Sequence, residues 1–331
     1  FAIPLFVAIF YGESLIRVFG LGMSILVLMG FLSWFFTKDN KQELSLSDGF
    51  VITVLFWIVL SVSGSIPFIL FGFGVVDSFF ESMSGITTTG ATVIAGLDDL
   101  PKSLLIYRQL LQWLGGMGLI VLAIAVMPLL GIGGGQLFKT QTPGPMSEQR
   151  LTPRITSTAR ALWSIYFVLT VLCIFAYRLA GMSYFDAVSH AFSTVSIGGF
   201  STHDLSIGFF DSLSVEIVCI TFMLLSAMSF AVHYSAIYRK QVLKYFYDPE
   251  LRFFVSLLIV ILGLVCLSLF ANDIENPIRS GLFQTVSILT TTGFLTDEYS
   301  SWPAYISFML LVGAFIGACS GSVGGGIKSW R

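Results

Sequence analysis

Charge is what this chain has least of. Only 11% of its 331 residues are Asp, Glu, Lys or Arg, where a soluble domain carries roughly a quarter. The net charge of −2 offers no basic surface, which argues against a nucleic-acid partner. Metal-ligand patterns are missing as well. Cys173, Cys219, Cys266 and Cys319 are scattered singly along apolar segments with no CxxC spacing, and they read as small buried hydrophobes. His190, His203 and His233 share no ligand spacing such as HExxH and read as structural or vestibule residues. The opening run "FAIPLFVAIF" has neither a basic stretch before it nor a cleavage site after it, so it is no signal peptide. It makes about half a membrane span, and the chain reads as starting mid-span.

What fills the chain instead is apolar. Hydrophobic residues make up 55% of it, in runs near the ~20 residues that cross a hydrocarbon core. Long spans are expected at 15–36, 50–72, 104–131, 156–180, 212–238, 251–271 and 302–327. The fold class is therefore an all-α polytopic membrane protein, with the lipid bilayer as its surroundings.

Three shorter segments lie between those spans: "DSFFESMSGITTTG" (77–90), "SYFDAVSHAFSTVSIGG" (183–199) and "NPIRSGLFQTVSILTTTG" (276–293). Each is too short to cross, opens near an acid or a proline, and ends in Thr or Ser and Gly. Such lengths suit re-entrant segments. The order span, half-span, span thus occurs three times, with 109 residues from Gly90 to Gly199 and 94 from Gly199 to Gly293. This is an internal repeat. Repeat 1 covers 48–135 with a pore loop at 77–92, repeat 2 covers 136–245 with a pore loop at 183–202, and repeat 3 covers 246–331 with a pore loop at 279–296.

Charge placement orients the chain. If the loops at 37–48, 132–160 and 239–252 and the end at 328–331 are cytoplasmic, they hold Lys38, Lys41, Lys139, Arg150, Arg154, Arg160, Arg239, Lys240, Lys244, Arg252, Lys328 and Arg331. The opposite side keeps Arg17, Lys102, Arg108, Arg178 and Arg279, a positive-inside bias. Acids such as Glu81, Asp98, Asp186, Asp204 and Asp297 fall outside, beside the half-spans. They read either as ordinary solvated loops or as a rim that concentrates cations over about a Debye length.

A non-helical backbone at membrane depth survives only where protein or water satisfies its polar groups. Threonines keep such a strand extended, and glycine permits the dihedral that turns successive carbonyls to one side. A single Thr-Thr-Thr-Gly reads as a helix C-cap beside a turn. Three aligned tips read as the lining of a pore, whose carbonyls replace the water around a monovalent cation. The cation-binding residues expected from this alignment are Thr88, Thr89 and Gly90, then Ile197, Gly198 and Gly199, then Thr291, Thr292 and Gly293.

The run "GAFIGACSGSVGGGIKSWR" (313–331) is too rich in glycine to stay helical, each interior Gly costing about 1 kcal/mol relative to Ala. It is not a phosphate-binding loop, since Ile327 separates Gly326 from Lys328 and no strand precedes it. It reads as an unwound gating loop over 313–328, with Gly321, Ser322, Gly324, Gly325, Gly326 and Lys328 as its working residues; a small-residue helix contact is the alternative. "WLGGMGLIVLAIAVMP" (113–128) reads as simple packing.

Together "SGITTTGATV", "QWLGGMGLIVLAIAVMPLLGIGGGQLF", "STVSIGGFSTHD", "SILTTTGF" and "GSVGGGIKSW" resemble the Trk/Ktr/HKT superfamily of potassium transporters, most closely its bacterial TrkH type. The resemblance covers essentially the whole chain. It implies four span–pore-loop–span repeats around one potassium pathway, preceded by a helical hairpin, here 1–47. It implies potassium as the transported substrate at the tip residues named above, with no organic cofactor in this chain. Sodium-preferring plant relatives carry Ser in the first filter, so Gly90 points to potassium. It also implies a homodimer in the bacterial inner membrane and regulation by a cytoplasmic nucleotide-binding ring of the TrkA type. A fourth repeat, which would supply the fourth side of the filter, is absent from these residues, and the chain is expected to be part of a longer protein.

The function expected is that of a potassium-translocating subunit with channel-like permeation. Cation-coupled symport with sodium or protons is the near alternative, weakened because no isolated ionisable residue stands mid-span as a proton relay. An intramembrane hydrolase using Ser320 or Ser196 with a histidine base is the remote one. It has no GxSG or GxSxG motif and no histidine placed to pair with either serine.

Overall fold

The computed structural model describes residues 1–38, 46–118 and 155–328. Among them every regular element is helical. Helices α1 (Ala2–Tyr11) and α2 (Ile16–Thr37) form the N-terminal pair. Repeat 1 contributes α3 (Leu46–Phe71), α4 (Val75–Ile86) and α5 (Lys102–Gly116). Repeat 2 contributes α6 (Ile155–Leu179), α7 (Tyr184–Val195), α8 (Leu213–Ala227) and α9 (Phe230–Tyr238). After a single turn at Lys244–Tyr247 come α10 (Pro249–Ala271), α11 (Pro277–Leu289) and α12 (Ala304–Ile316). The expected span at 104–131 lies outside the described residues beyond 118, as does most of the basic loop at 132–160.

Helices α2, α3, α6 and α10 contain stretches long and apolar enough to cross a membrane. Their outer faces carry bare apolar side chains, among them Val27, Phe36, Phe175 and Leu267. Against water this would be an aggregation surface; against lipid it is the expected one. Helix starts follow local chemistry. Ser183 caps α7 by accepting from the Asp186 N–H at 3.1 Å. Asp248 caps α10 through Leu251 at 3.0 Å, with Pro249 in the first turn where its missing N–H costs nothing.

The apolar run at 212–238 predicts one span. The structure breaks it between Ala227 and Phe230, with α8 and α9 bent by 93°. The backbone groups freed there are taken up by the glycine-rich segment: Phe230 N donates to Gly321 O at 3.0 Å, and Cys319 N donates to Ala227 O at 3.1 Å. Hydropathy alone carries no trace of such a partner.

Each half-helix packs against the spans on either side of it, α4 against α3 and α5, α7 against α6 and α8, and α11 against α10 and α12. Each repeat also leans on the next, because α5 packs on α7 and α8 packs on α11. One core joins α1, α2, α3 and α5 around Phe19, Phe68 and Tyr107; a larger one runs through repeats 2 and 3 around Tyr166, Phe283 and Phe294. A third, smaller core of Ile197, Ala227, Leu251, Phe254 and Ala318 lies where tip 2 meets the glycine-rich segment.

Candidate functional site

All three half-helices end four residues before a glycine, at Ile86, Val195 and Leu289. The chain then makes the same three backbone hydrogen bonds in each. In tip 1 these run from Thr87 N to Met83 O, Thr88 N to Gly85 O and Thr89 N to Ser84 O, at 2.9–3.0 Å. In tip 2 they run from Ser196 to Phe192, Ile197 to Thr194 and Gly198 to Ser193; in tip 3 from Thr290 to Val286, Thr291 to Ile288 and Thr292 to Ser287. Those bonds hold an unusual backbone. Two residues before each glycine, Thr88, Ile197 and Thr291 have φ of 55°, 55° and 64°, and Gly90, Gly199 and Gly293 have φ of 78°, 80° and 84°. The expectation of extended threonines fails at this middle position. A β-branched residue in the left-handed region costs about 1–3 kcal/mol and persists only where its surroundings over-determine it. Here the same strain recurs at three equivalent places.

The tips converge. A Cβ on Gly90 would strike the carbonyl oxygen of Gly198 and stand 3.5 Å from that of Thr292. A Cβ on Gly199 would strike the Thr292 carbonyl oxygen. Gly293, third in line, meets nothing within 4 Å. The nine residues singled out in the sequence therefore stand together as an arc. Its middle member is the most enclosed, with Ile197 and Gly198 buried, while Thr89 and Gly293 at its ends are exposed. Closely set backbone oxygens on several loops are what a dehydrated monovalent cation needs.

Behind the arc stands a polar scaffold that sequence reasoning missed. Glu81 and Arg108 read from sequence as outer charges, yet both side chains are 0% exposed and pair at 2.7 Å. Arg108 also donates to Ser201 O at 3.1 Å and Thr92 Oγ1 at 3.0 Å, and its guanidinium lies 4.4 Å from the Phe200 ring centre. Glu81 accepts from Thr92 Oγ1 and Val93 N. The pair thus fastens the strand after Gly90 to the strand after Gly199. Four residues on from Arg108, Gln112 donates to Gly198 O at 2.6 Å and accepts from Phe200 N at 3.1 Å. The available signal was positional. Glu81, His190 and Gln284 each stand nine residues before a tip glycine, and each is buried and bonded to the strand after its own tip.

Outside the arc, loops of successive repeats are stitched together. Gly96 N donates to Asp204, and Gly208 N donates to Leu295 O at 3.0 Å. His203 sits between Asp98 and Asp186 with its ring stacked on Phe209 at 3.5 Å. Burial opposes a charge on His203, but its hydrogen bonds to Asp186 and Asp98 outweigh that and raise its pKa. The hydrogen bond from His203 holds the Asp98 carboxyl below its ordinary range.

On the other side of the arc, α12 stops at Ile316 and residues 317–328 run without regular structure. Gly317, at φ 72°, reverses the chain, and the segment returns on itself: Ile327 N donates to Phe315 O at 2.8 Å and Lys328 N to Ile316 O at 3.0 Å. Its middle reaches tip 3, where Gly325 N donates to Thr291 Oγ1 at 2.7 Å. Ser320 N bonds to the buried carboxylate of Glu250, and Lys328 Nζ bonds to Gly324 O. Of Gly321, Ser322, Gly324, Gly325, Gly326 and Lys328, Gly324 and Gly325 lie against tip 3, and the others contact neighbouring parts of the same fold-back or Phe230.

No histidine pairs with Ser196 or Ser320 among the described contacts. His190 is held by Asp186 O and Ser201, His233 by Tyr245 and Leu225 O, and Ser196 Oγ turns to Ser193 O.

Known proteins resemble the chain along its whole length. Residues 16–331 match the family described as TrkH, cation transport protein. The chain is 48% identical over 334 residues to the Trk system potassium uptake protein TrkH of Halomonas elongata, spanning 99% of this chain and 69% of that protein. It is 44% identical over 336 residues to the protein of the same name from Escherichia coli K12, spanning 99% and 70%. The crystal structure of the potassium transporter TrkH from Vibrio parahaemolyticus superposes with a TM-score of 0.87 at 45% identity, covering all of this chain and 69% of that one.

Proposed function

The chain belongs to the TrkH family of cation transport proteins, and from that premise we propose that it is the potassium-translocating subunit of a Trk-type uptake system. Its relatives are named as potassium uptake proteins and not as enzymes, which removes the hydrolase reading. Potassium passes in a channel-like manner along the arc of tip carbonyls. The observation that carries this reading is the threefold identity of the tips: same helix end, same three hydrogen bonds, same two positive φ values, with neighbouring carbonyls at the glycines. The fourth side of the filter, which the family pattern supplies from a further repeat, belongs beside the open face of Gly293.

The glycine-rich segment is the gate, favoured by its contact with Thr291 at the end of tip 3. Channel-like permeation is preferred to coupled symport because the most deeply buried charges near the arc, Glu81 and Arg108, neutralise one another behind the tips. The protein is placed in the bacterial inner membrane as a multi-pass homodimer. A cytoplasmic nucleotide-binding ring of the TrkA type regulates it, docking on the face that bears the exposed Arg239, Lys240 and Arg252 beside bare Leu243, Phe246 and Tyr247.

Rubidium uptake with sodium as competitor, in potassium-import-deficient bacteria carrying the complete reading frame, tests the proposal. Uptake that withstands excess sodium is expected. Uptake abolished by equimolar sodium would remove the potassium-selective filter, and no uptake alongside the regulatory ring would remove the transport reading.

A further inference from the structure

Tip 2 departs from the Thr-Thr-Thr-Gly of tips 1 and 3 at the residue before the glycine, where Thr89 and Thr292 are answered by Gly198. In tips 1 and 3 that threonine closes the turn. Its hydroxyl lies 2.8 Å from the hydroxyl two residues earlier, Thr89 to Thr87 and Thr292 to Thr290, bridging the left-handed residue between them. Tip 2 has no such bridge. Gly198 has no side chain, and Ser196 Oγ points back to Ser193 O at 3.2 Å. Yet Ile197 holds the same strained φ of 55°.

The space of the missing side chain is filled from another repeat. A Cβ on Gly198 would run into the carboxamide of Gln112, a side chain that is 0% exposed. That carboxamide donates to Gly198 O at 2.6 Å and accepts from Phe200 N at 3.1 Å, gripping the backbone on both sides of Gly199. Its orientation follows from its partners, a carbonyl that only accepts and an amide that only donates. The Gly198 oxygen it holds is the one that Gly90 faces across the arc.

We propose that Gln112 is the positioning residue of tip 2. Reaching over from the preceding repeat, it replaces the side-chain bridge that tips 1 and 3 make for themselves, and it sets how sharply the pathway separates potassium from sodium. This rests on the filter reading given above. Only Gln fits the role: Glu would face the Gly198 carbonyl with a second acceptor, and Met would match the volume but make neither hydrogen bond.

The test is an exchange. Rubidium uptake against sodium, together with the amount of protein in the membrane, is measured for Gln112→Met, Gly198→Thr and the double variant Gln112→Ala/Gly198→Thr, with Gly90→Ser alongside. Gln112→Met and Gly198→Thr should each lower the sodium concentration for half-inhibition roughly tenfold, as expected for one to two buried hydrogen bonds. The double variant returns to within about threefold of the parent, because the new threonine occupies the vacated space and restores the hydroxyl bridge to Ser196. Gln112→Met present at the parental level with an unchanged ratio overturns the inference, and the filter reading stands if Gly90→Ser loses its preference in the same assay. If Gly90→Ser also keeps its preference, the filter reading falls with it. Should the single variants fail to accumulate, recovery of both protein level and selectivity in the double variant supports the exchange, and no recovery overturns it.

Discussion

The three tips and the glycine-rich segment beside them are built in opposite ways. The tips are one device made three times, each with the same backbone bonds within its own turn and each storing the same backbone strain. The segment at 317–328 has no counterpart among the described residues, and its bonds go to unlike partners: the broken repeat-2 span at Ala227 and Phe230, Glu250, Thr291 and its own helix end. A strained turn closed by local bonds has one geometry to offer, which suits discrimination between ions. A segment held by single bonds to separate elements can be released by moving any of them, which suits control of rate.

The largest test of that contrast is deletion of 321–326. Flux should rise strongly while the potassium-over-sodium ratio stays at the parental value; a well-inserted deletion with reduced flux would end the division of labour. Next come the tip glycines. Gly90→Ser and Gly199→Ser place a side chain against the Gly198 and Thr292 carbonyls and should cost tenfold or more in selectivity, on the order of 1.4 kcal/mol or above. Gly293→Ser meets no neighbour within 4 Å among the described residues, but it points at the face where the fourth side of the filter belongs, so in the complete protein its loss should be of the same order. A much smaller loss at Gly293 than at Gly90 and Gly199 would mean that no fourth carbonyl faces it.

Thr291→Val joins the two regions, since it keeps the shape of tip 3 but removes the acceptor for Gly325 N. One lost hydrogen bond of about 1 kcal/mol should shift the segment roughly fivefold toward release, read as a few-fold gain in flux at unchanged selectivity. The smallest effect belongs to the outer loops. Because the folded pKa of His203 is raised, its pairing with Asp98 and Asp186 stabilises fully below its ordinary value of about 6.5 and fades as pH climbs through the raised value. Thermal unfolding should fall slightly across that interval in the parent and stay level in His203→Gln. The exposed position of Asp98 limits the effect to less than about 1 kcal/mol.

Much of this was open to reading from residues alone. Span lengths and the recurrence of Gly90, Gly199 and Gly293 reveal half-helices and tips, because length and glycine placement are local properties. The rest depends on partners distant in the chain. Nothing in the apolar run 212–238 tells of a 93° bend, since the groups that stabilise it, Gly321 and Cys319, are some ninety residues away. Glu81 and Arg108 read as outer charges because a charge in sequence looks solvated, and only their pairing across 27 residues makes burial tolerable. Gln112 had no reason to be noticed until Gly198 was seen to leave room for it.

The lean of each repeat on the next bears on how the protein comes into being. Gln112 and Arg108 are in the chain before tip 2, and Ser206, Gly208 and Glu216, which hold Leu295 and Arg279, are there before tip 3. A chain made from its N-terminus therefore presents the second and third tips with a wall already standing. The order of the repeats is a direction of assembly, and swapping two of them would leave a tip to emerge with nothing built to receive it.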